Sequence, residues 1–311
     1  MDSSGLRPRA ARGPFAEIVR WNAGLAFVLC LQPAAALAGT ADTLTVVTLN
    51  LWHDQHDWPK RLERIVSELR QVRPDVLCLQ EVLQNPDLRN QAETLGDSLR
   101  CHVQFASVDG PDRPKRYGNA ILTPHRVLTG ESRNLEPADD YRAVAHVRFE
   151  WRGRAIDAYS AHLHHTPQGG TIRATQIRHL LAYVDSTRGA GPLVLAGDFN
   201  AELGSPEMDL VTERYVDAYR AVHPKATREE AVTFNKRFGP DPGAIDHIFV
   251  ERRGRTKLRP VACDVMFRSV KPDSVWASDH FGVAARLRAV GEDPSPPRNR
   301  RNKHRPAQGR R

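Results

Sequence analysis

Short runs of apolar and β-branched residues recur through the middle of this chain, and polar segments separate them. The clearest runs predict strands at residues 44–50, 76–81 and 193–199. Because these runs are short and rich in valine and leucine, they are typical of strands buried within a sheet. Weaker or alternating patterns predict further strands at residues 102–106, 119–122, 141–151, 155–162, 245–250, 261–267 and 281–287.

Other segments repeat their apolar residues at helical spacing instead. Residues 58–72 carry one apolar stripe, and the dipeptide Arg73-Pro74 ends that helix. Residues 171–184 form a second amphipathic helix, and residues 90–100 a weaker one. Strands that alternate with helices in this way favour an α/β sandwich.

The first 38 residues have the pattern of an export signal. A leader with four arginines precedes the apolar run AGLAFVLCL, Pro33 ends the run, and Ala-Leu-Ala precedes Gly39 as a small-residue cleavage site. The run is shorter than the ~20 residues that a membrane span needs. We therefore predict a cleavable signal peptide at residues 1–38, no transmembrane span, and a secreted or periplasmic protein.

The opposite end of the chain is basic and poor in apolar residues. Residues 291–311 are rich in proline and arginine and cannot bury enough surface to fold, so we interpret them as a disordered tail. An anion-binding arm is the alternative interpretation. The two ends carry most of the formal net charge of +8, which leaves residues 39–290 nearly neutral. The charge of this predicted single domain is therefore no argument for a nucleic-acid partner.

Polar residues that suit attack on phosphorus stand at the ends of the predicted strands. Side chains at strand ends are held rigidly at one edge of a sheet, where a site can form. The segments TLN, LQE, SAH, GDFN and SDH, together with IDHIF, contribute Asn50, Glu81, His162, Asp198, Asn200, Asp279, His280 and Asp246.

This ordered set of motifs, from about residue 43 to about residue 287, resembles the endonuclease/exonuclease/phosphatase superfamily of deoxyribonuclease I-like hydrolases. The resemblance implies a four-layer α/β/β/α sandwich, in which two packed mixed β-sheets are flanked by helices and the site lies at one edge. It also implies hydrolysis of a phosphoester with a divalent cation, usually Mg²⁺, with Mn²⁺ as an alternative. His162 in SAHLHH resembles the histidine of the deoxyribonuclease, sphingomyelinase and deadenylase branches.

The predicted cation ligands carry hard oxygen atoms, which Mg²⁺ prefers. Glu81 is the first of them, because a charged residue that closes a buried apolar strand has little structural reason to be there. Asn50 and Asp279 complete the predicted set, directly or through water. One-metal and two-metal arrangements both remain open, and Asp198 with Asn200 would hold the second ion.

The predicted catalytic residues are His162, Asp198, Asn200, Asp246 and His280. His280 is either a general base or a partner of the scissile phosphate, and Asp246 is its carboxylate partner. Asp198 and Asn200, two apart on an extended chain, would face the same way and handle the attacking water and a phosphoryl oxygen. His162 would donate to the phosphate or the leaving oxygen.

Asn119 and Tyr117 in RYGNAIL are the predicted substrate contacts. The favoured function is an exported Mg²⁺-dependent phosphodiesterase that acts as a nuclease on nucleic acid. The alternatives are a hydrolase of sphingomyelinase or inositol-phosphate phosphatase type and, more remotely, an inactive binding module of the same fold. The sequence implies no specific protein partner, and we expect a monomer.

Overall fold

The structure, a computed structural model, describes residues 43–239, 243–254, 257–270 and 275–291. The predicted signal peptide at residues 1–38 and the basic tail after residue 291 lie outside these residues, so the domain boundaries stay predictions. Within the described ranges, no helix combines the length and the apolar character that a membrane crossing requires.

The strands of the described chain form two mixed six-stranded sheets. They are β1 Thr43–Asn50, β2 Val76–Gln84, β3 His102–Ser107, β4 Arg116–Thr123, β5 Val127–Asn134, β6 Ala143–Trp151, β7 Arg154–His162, β8 Leu193–Asp198, β9 Tyr215–Asp217, β10 Asp246–Glu251, β11 Lys257–Met266 and β12 Gly282–Val290. The strand order is β11–β12–β1–β2–β4–β3 in the first sheet and β5–β6–β7–β8–β10–β9 in the second. The β1–β2 and β7–β8 pairs are parallel, and the other pairs are antiparallel.

Helices cover the outer faces of both sheets. The helices are α1 Trp58–Val72, α2 Gln91–Leu99, α3 Gly170–Thr187, α4 Pro206–Thr212, α5 Ala218–Val222 and α6 Arg228–Ala231. One core cluster joins α1 and α2 to the first sheet, a second joins α3 and α4 to the second sheet, and a third lies between the sheets. The layers are therefore α/β/β/α, and the predicted fold is confirmed.

The continuous apolar character of β1 follows from its position in the middle of these layers. Val46 packs in the cluster between the sheets, and its neighbour Val47 packs in the cluster beneath α1. Because both faces of the strand are buried, successive residues are apolar instead of alternating with polar ones.

Local signals set the ends of α1. The side chain of Asp57 accepts a hydrogen bond from Lys60 N at 3.2 Å and caps the amino end. Arg73 adopts a left-handed conformation at the carboxyl end, and Pro74 follows it. The predicted end of this helix is confirmed.

Other predictions of secondary structure need correction. The prediction ends the second strand at Glu81, but β2 continues to Gln84. The pattern also missed β5, because this edge strand is mostly exposed and polar and so carries no apolar signal. Arg152 and Gly153 form the turn that joins β6 to β7, and both residues have positive φ, as a tight hairpin requires.

Strand register brings the predicted site residues to one edge. Asn50 lies opposite Gln80 at the carboxyl ends of the parallel pair β1–β2. In the second sheet, His162 pairs with Asp198, and Asp198 pairs with Asp246. The carboxyl ends of the parallel strands in both sheets thus supply groups to one region.

Candidate active site

A hydrogen bond between buried side chains joins the two sheets at this edge. Asn50 Nδ2, on β1, donates to Asp198 Oδ2, on β8, at 3.0 Å. Asn50 is oriented because its Oδ1 accepts a hydrogen bond from Trp52 N at 2.9 Å. A carbonyl oxygen has a second lone pair, so Asn50 keeps the capacity to bind a cation.

His280 lies between two carboxylates. Its Nδ1 is 2.9 Å from Asp246 Oδ2, and its Nε2 is 3.8 Å from Asp198 Oδ2. Burial by itself would lower the pKa of His280, but the charges of Asp246 and Asp198 outweigh burial and raise that pKa. Burial, aided by the charge of Asp246, raises the pKa of Asp198 above its ordinary value. The arrangement favours a protonated His280 beside a carboxylate whose proton affinity is increased.

His162 has the opposite electrostatic environment. Its Nε2 is 3.5 Å from Asp198 Oδ2, and its side chain is buried. Burial lowers the pKa of His162 well below 6.5, and the nearby positive charge of Arg142 lowers it further. The two histidines therefore differ in their protonation tendencies within one site, which is the arrangement expected for separate acid and base roles.

Glu81 stands on a β-bulge inside β2. The pairing of β2 with β4 shifts register between Leu79 and Val82, and Glu81 has a φ of 54°. A non-glycine residue in this left-handed region costs ~1–3 kcal/mol, and such strain clusters at functional sites. The bulge orients the carboxylate of Glu81 towards a cleft, where it faces Tyr117.

Asp279 shares this acidic environment. Burial raises the pKa of Asp279; the charge of His280 opposes the change, and that of Glu81 adds to it. Ser278 Oγ donates to Asn50 O at 2.7 Å and accepts from His280 N at 3.1 Å, which fixes the segment. Sequence reasoning missed Ser278, although it begins the motif SDH.

Glu81, Asp279 and Asn50 fit a hard divalent cation, since the two carboxylates repel each other and the amide adds an oxygen. Asp198, Asp246 and His280 also place one ligand atom each within 4.8 Å of one another. In that second group, however, His280 already supplies positive charge to the carboxylates. The first group is therefore the better candidate for the cation.

The structure corrects the argument for Asn200. β8 ends at Asp198, and Asn200 has a φ of 51°, so the two residues are not on one extended strand. Asn200 nevertheless stays at the site, because its backbone N donates to Asp198 Oδ1 at 2.9 Å and its Nδ2 donates to Leu163 O at 3.1 Å. A left-handed turn, which asparagine tolerates well, replaces the alternation expected from a strand.

The two predicted substrate contacts occupy different positions. Tyr117 lines an open cleft of about 770 Å³, together with Glu81 and His162. Burial raises the pKa of Tyr117, and the charge of Glu81 raises it further, so its phenol keeps its proton. Asn119 is buried, and its Nδ2 donates to Ala143 O at 2.6 Å across the sheets. Asn119 thus packs behind the cleft, beside a small pocket that it shares with Tyr117.

Two arginines at the site were missed by the sequence analysis. Arg142 lines the cleft near His162, and its Nε is 3.3 Å from Asp140 Oδ2. Arg61, on α1, is 1% exposed and donates from Nη1 to Leu51 O at 2.6 Å and to Ala277 O at 2.9 Å. Burial lowers the pKa of Arg61 to about 10. An arginine on the apolar face of a predicted helix was the available signal for Arg61; the only signal for Arg142 was a charge just before an apolar strand.

Comparison with known proteins gives a family match over most of the chain. The model of the Endonuclease/Exonuclease/phosphatase family matches residues 47–280. Nocturnin of Drosophila melanogaster is 30% identical over an alignment of 275 residues that covers 73% of this chain and 41% of that protein. Protein angel homolog 2 of Bos taurus is 30% identical over an alignment of 179 residues that covers 50% of this chain and 31% of that protein. The chain thus matches less than half the length of these relatives.

Solved structures share the architecture. D. rerio TDP2, complexed with a single-strand DNA product, has a TM-score of 0.66 at 17% identity and covers 79% of this chain and 98% of its own. The human nocturnin catalytic domain, with a bound sulfate anion, has a TM-score of 0.63 at 19% identity and covers 80% of this chain and 94% of its own. At these identities the likeness shows a common fold.

Proposed function

The chain belongs to the endonuclease/exonuclease/phosphatase family, and we propose that it is a divalent-metal-dependent phosphodiesterase that cleaves nucleic acid. The observation that carries this proposal is the convergence of both sheets on one buried group, in which His280 lies between Asp246 and Asp198 while Glu81 faces the adjoining cleft. Family members are metal-dependent hydrolases of phosphate esters, and these groups supply what that chemistry requires.

The reaction needs a base for water, positive charge on the phosphate and relief of charge on the leaving oxygen. A divalent cation held by Glu81, Asp279 and Asn50 would supply Lewis-acid neutralisation of the phosphate oxygens. We propose Mg²⁺, with Mn²⁺ as a substitute, because the donors are hard oxygen atoms.

The chain's own residues would divide the proton transfers. Asp198, held by Asn50 and by Asn200 N, is placed to orient water and accept its proton. His280, held at Nδ1 by Asp246, presents Nε2 to a phosphate oxygen as a cationic donor. His162, which burial keeps neutral, is placed to exchange a proton with the leaving oxygen.

Two observations support nucleic acid as the substrate class. The cleft is open and lined largely by polar and charged side chains, including Lys115 and Arg142, which suits a phosphate chain. One protein of the same fold, D. rerio TDP2, has been solved with a single-strand DNA product.

We further propose that the protein is exported. The support is the sequence of residues 1–38, with its arginine-containing leader, short apolar run and Ala-Leu-Ala site. Expression of the full chain in a secreting bacterium, followed by amino-terminal sequencing, should give a mature protein that begins at Gly39. Retention of residues 1–38 in a cytoplasmic product would refute the proposal.

The function is tested by offering the purified protein single-stranded DNA, plasmid DNA, RNA, sphingomyelin and inositol phosphates side by side, with Mg²⁺ or with EDTA. We expect hydrolysis of nucleic acid that requires the cation.

Glu81→Gln should reduce kcat by ~10³-fold, because this proposed cation ligand loses its negative charge. The matched control is Asp185→Asn, which removes an exposed carboxylate paired with Arg214 and should leave turnover unchanged. Metal-independent turnover, or equal activity of both variants, would contradict the proposal.

A further inference from the structure

Tyr141 is the most exposed large side chain with apolar character in the described residues. Its exposure is 70%, whereas Leu128 and Val261, the other exposed large apolar residues of those ranges, are each 38% exposed. Tyr141 also lines the cleft beside Arg142 and His162. A large aromatic ring that stays in water at the mouth of a site is not explained by packing of the core.

The segment that carries this ring is held rigidly. Asp140 Oδ1 is 2.7 Å from His164 Nδ1, and Asp140 Oδ2 accepts from Gln176 Nε2 at 2.6 Å. On the other side of Tyr141, Arg142 O accepts a hydrogen bond from Leu135 N at 2.8 Å. The ring is therefore presented from an ordered backbone, so ligand contact would restrict only the side chain of Tyr141.

The backbone of Tyr141 also departs from the ordinary conformation. Its φ is 53°, in the left-handed region that a tyrosine seldom adopts. Among the described side chains its ring stacks on no other aromatic group, whereas the cleft residues His53 and Tyr117 meet edge-on with centroids 6.3 Å apart. This left-handed residue closes the short 3-10 turn Ala138–Asp140, and the turn sets the direction in which the ring leaves the backbone.

We propose that Tyr141 is a stacking platform for the nucleobase next to the scissile phosphate, and that the substrate strand is single-stranded at this position. The assignment rests on the proposed function, since it takes the phosphate to lie over Glu81 and His162. Arg142, the next residue, would then face the phosphate chain while the ring of Tyr141 faces the base. Stacking on an aromatic side chain tolerates every base, so we expect no strong base preference at this subsite.

The lining of the cleft argues against the other substrates. An acyl chain would need an apolar groove, but Asp54, Gln55, Asn85 and Lys115 line this cleft. An inositol polyphosphate carries several phosphates on one small ring and would need a cluster of basic side chains. In this cleft, acidic Asp54 and Asp140 lie among the basic side chains instead. A flat neutral ring joined to a phosphate is the ligand that fits an exposed tyrosine directly followed by an arginine.

The test compares two single-stranded DNA oligonucleotides that differ only in the presence of bases around the cleavage position, one intact and one with stable abasic residues. With the full chain and Mg²⁺, Tyr141→Ala should raise KM for the intact strand about tenfold, with a smaller change in kcat, and should leave the abasic strand almost unaffected. Tyr141→Phe keeps the ring and should behave like the wild type. Leu128→Ala is the matched control, because it removes another exposed apolar side chain, on β5.

A second measurement separates this inference from the proposed function. In EDTA, fluorescence anisotropy should show tighter binding of the intact strand than of the abasic strand, and Tyr141→Ala should remove the difference. If the wild type binds with this difference but hydrolyses neither strand, the proposed function fails and the stacking site stands. Equal binding of both strands by the wild type, or an equal loss for both in Tyr141→Ala, would overturn the stacking site. The same holds if Tyr141→Ala raises KM for sphingomyelin or an inositol phosphate as much as for the intact strand.

Discussion

Two buried histidine–aspartate pairs lie on opposite faces of β10, and only one of them is left open for chemistry. Asp246 and His247 are consecutive residues, so their side chains point to opposite sides of the strand. His247 Nδ1 is 3.0 Å from Asp217 Oδ2, and its Nε2 is 3.0 Å from Ala201 O. Both nitrogens of His247 thus face acceptors, which fixes the ring.

The pair at the site is incompletely satisfied. His280 uses Nδ1 with Asp246, but the Nε2 atom has its nearest carboxylate oxygen, on Asp198, at 3.8 Å. Asp246 Oδ1 is buried and has no hydrogen-bond partner among the described residues. Asp217, in contrast, uses its second oxygen to accept from Arg220 N at 2.8 Å. Burial and a carboxylate partner are common to both pairs, and the hydrogen-bonding capacity that His280 and Asp246 leave unused distinguishes the pair at the site.

The largest expected effect separates the two histidines by activity. His280→Asn keeps an amide donor for Asp246 but loses the ring nitrogen that faces the substrate, and kcat should fall by ~10³-fold. His247→Asn should change kcat per folded molecule by less than about twofold, because both ring nitrogens of His247 are already taken by Asp217 and Ala201 O. Turnover of a small phosphodiester by both variants checks this; an equal loss would erase the distinction.

The free energy of unfolding should depend more on the His247–Asp217 pair than on the His280–Asp246 pair. His247→Ala leaves Asp217 buried without its partner, and we expect the free energy of unfolding to fall by about 3 kcal/mol. The measurement is urea denaturation followed by circular dichroism, with His280→Asn as the comparison. A smaller loss for His247→Ala than for His280→Asn would show that the saturated pair does not stabilise the fold.

A third change concerns the carboxylate partner at the site. Asp246→Asn can still accept a hydrogen bond from His280, but it no longer stabilises a positive imidazole, so kcat should fall by ~10²-fold. Asp217→Asn provides the matched control and should leave kcat unchanged. Full turnover by Asp246→Asn would mean that His280 acts without its carboxylate.

The smallest expected effect is a pH dependence of stability. Burial by itself would lower the pKa of His247, but its hydrogen bond to Asp217 and the Asp217 charge outweigh burial and raise that pKa above 6.5. A raised pKa stabilises the folded state fully below pH 6.5, and this contribution is lost as pH rises through the folded value. The difference in unfolding free energy between the wild type and His247→Asn should therefore shrink above pH 6.5. A difference that grows with pH would mean that folding lowers the pKa of His247 instead of raising it.

The sequence predicted the fold and the convergence of the site because both depend on local signals. Parallel strands such as β1 and β2 are buried on both faces, so their ends are visible as apolar runs that stop at polar residues. Asn50, His162 and Asp198 were found in this way, and their side chains lie together.

Other features depend on the three-dimensional arrangement and had a weak local signal or none. The bulge at Glu81 arises from a mismatch with β4, a strand well separated in sequence, so the prediction ended β2 too early. Asn200 itself adopts a left-handed conformation that the motif GDFN does not specify. Arg142 reaches the cleft through its contact with Asp140, and Arg61 is buried by loop carbonyls instead of by an acidic partner near it in sequence.

The strained backbone at Glu81 has a consequence for the evolution of this protein. Glycine adopts a φ of 54° without steric cost, and Glu81→Gly would also remove the repulsion between Glu81 and Asp279. A laboratory lineage selected for heat resistance alone should therefore drift towards glycine or asparagine at this position. Such descendants would melt at the same temperature or higher and be unable to turn over substrate, so persistence of glutamate here would record selection for activity.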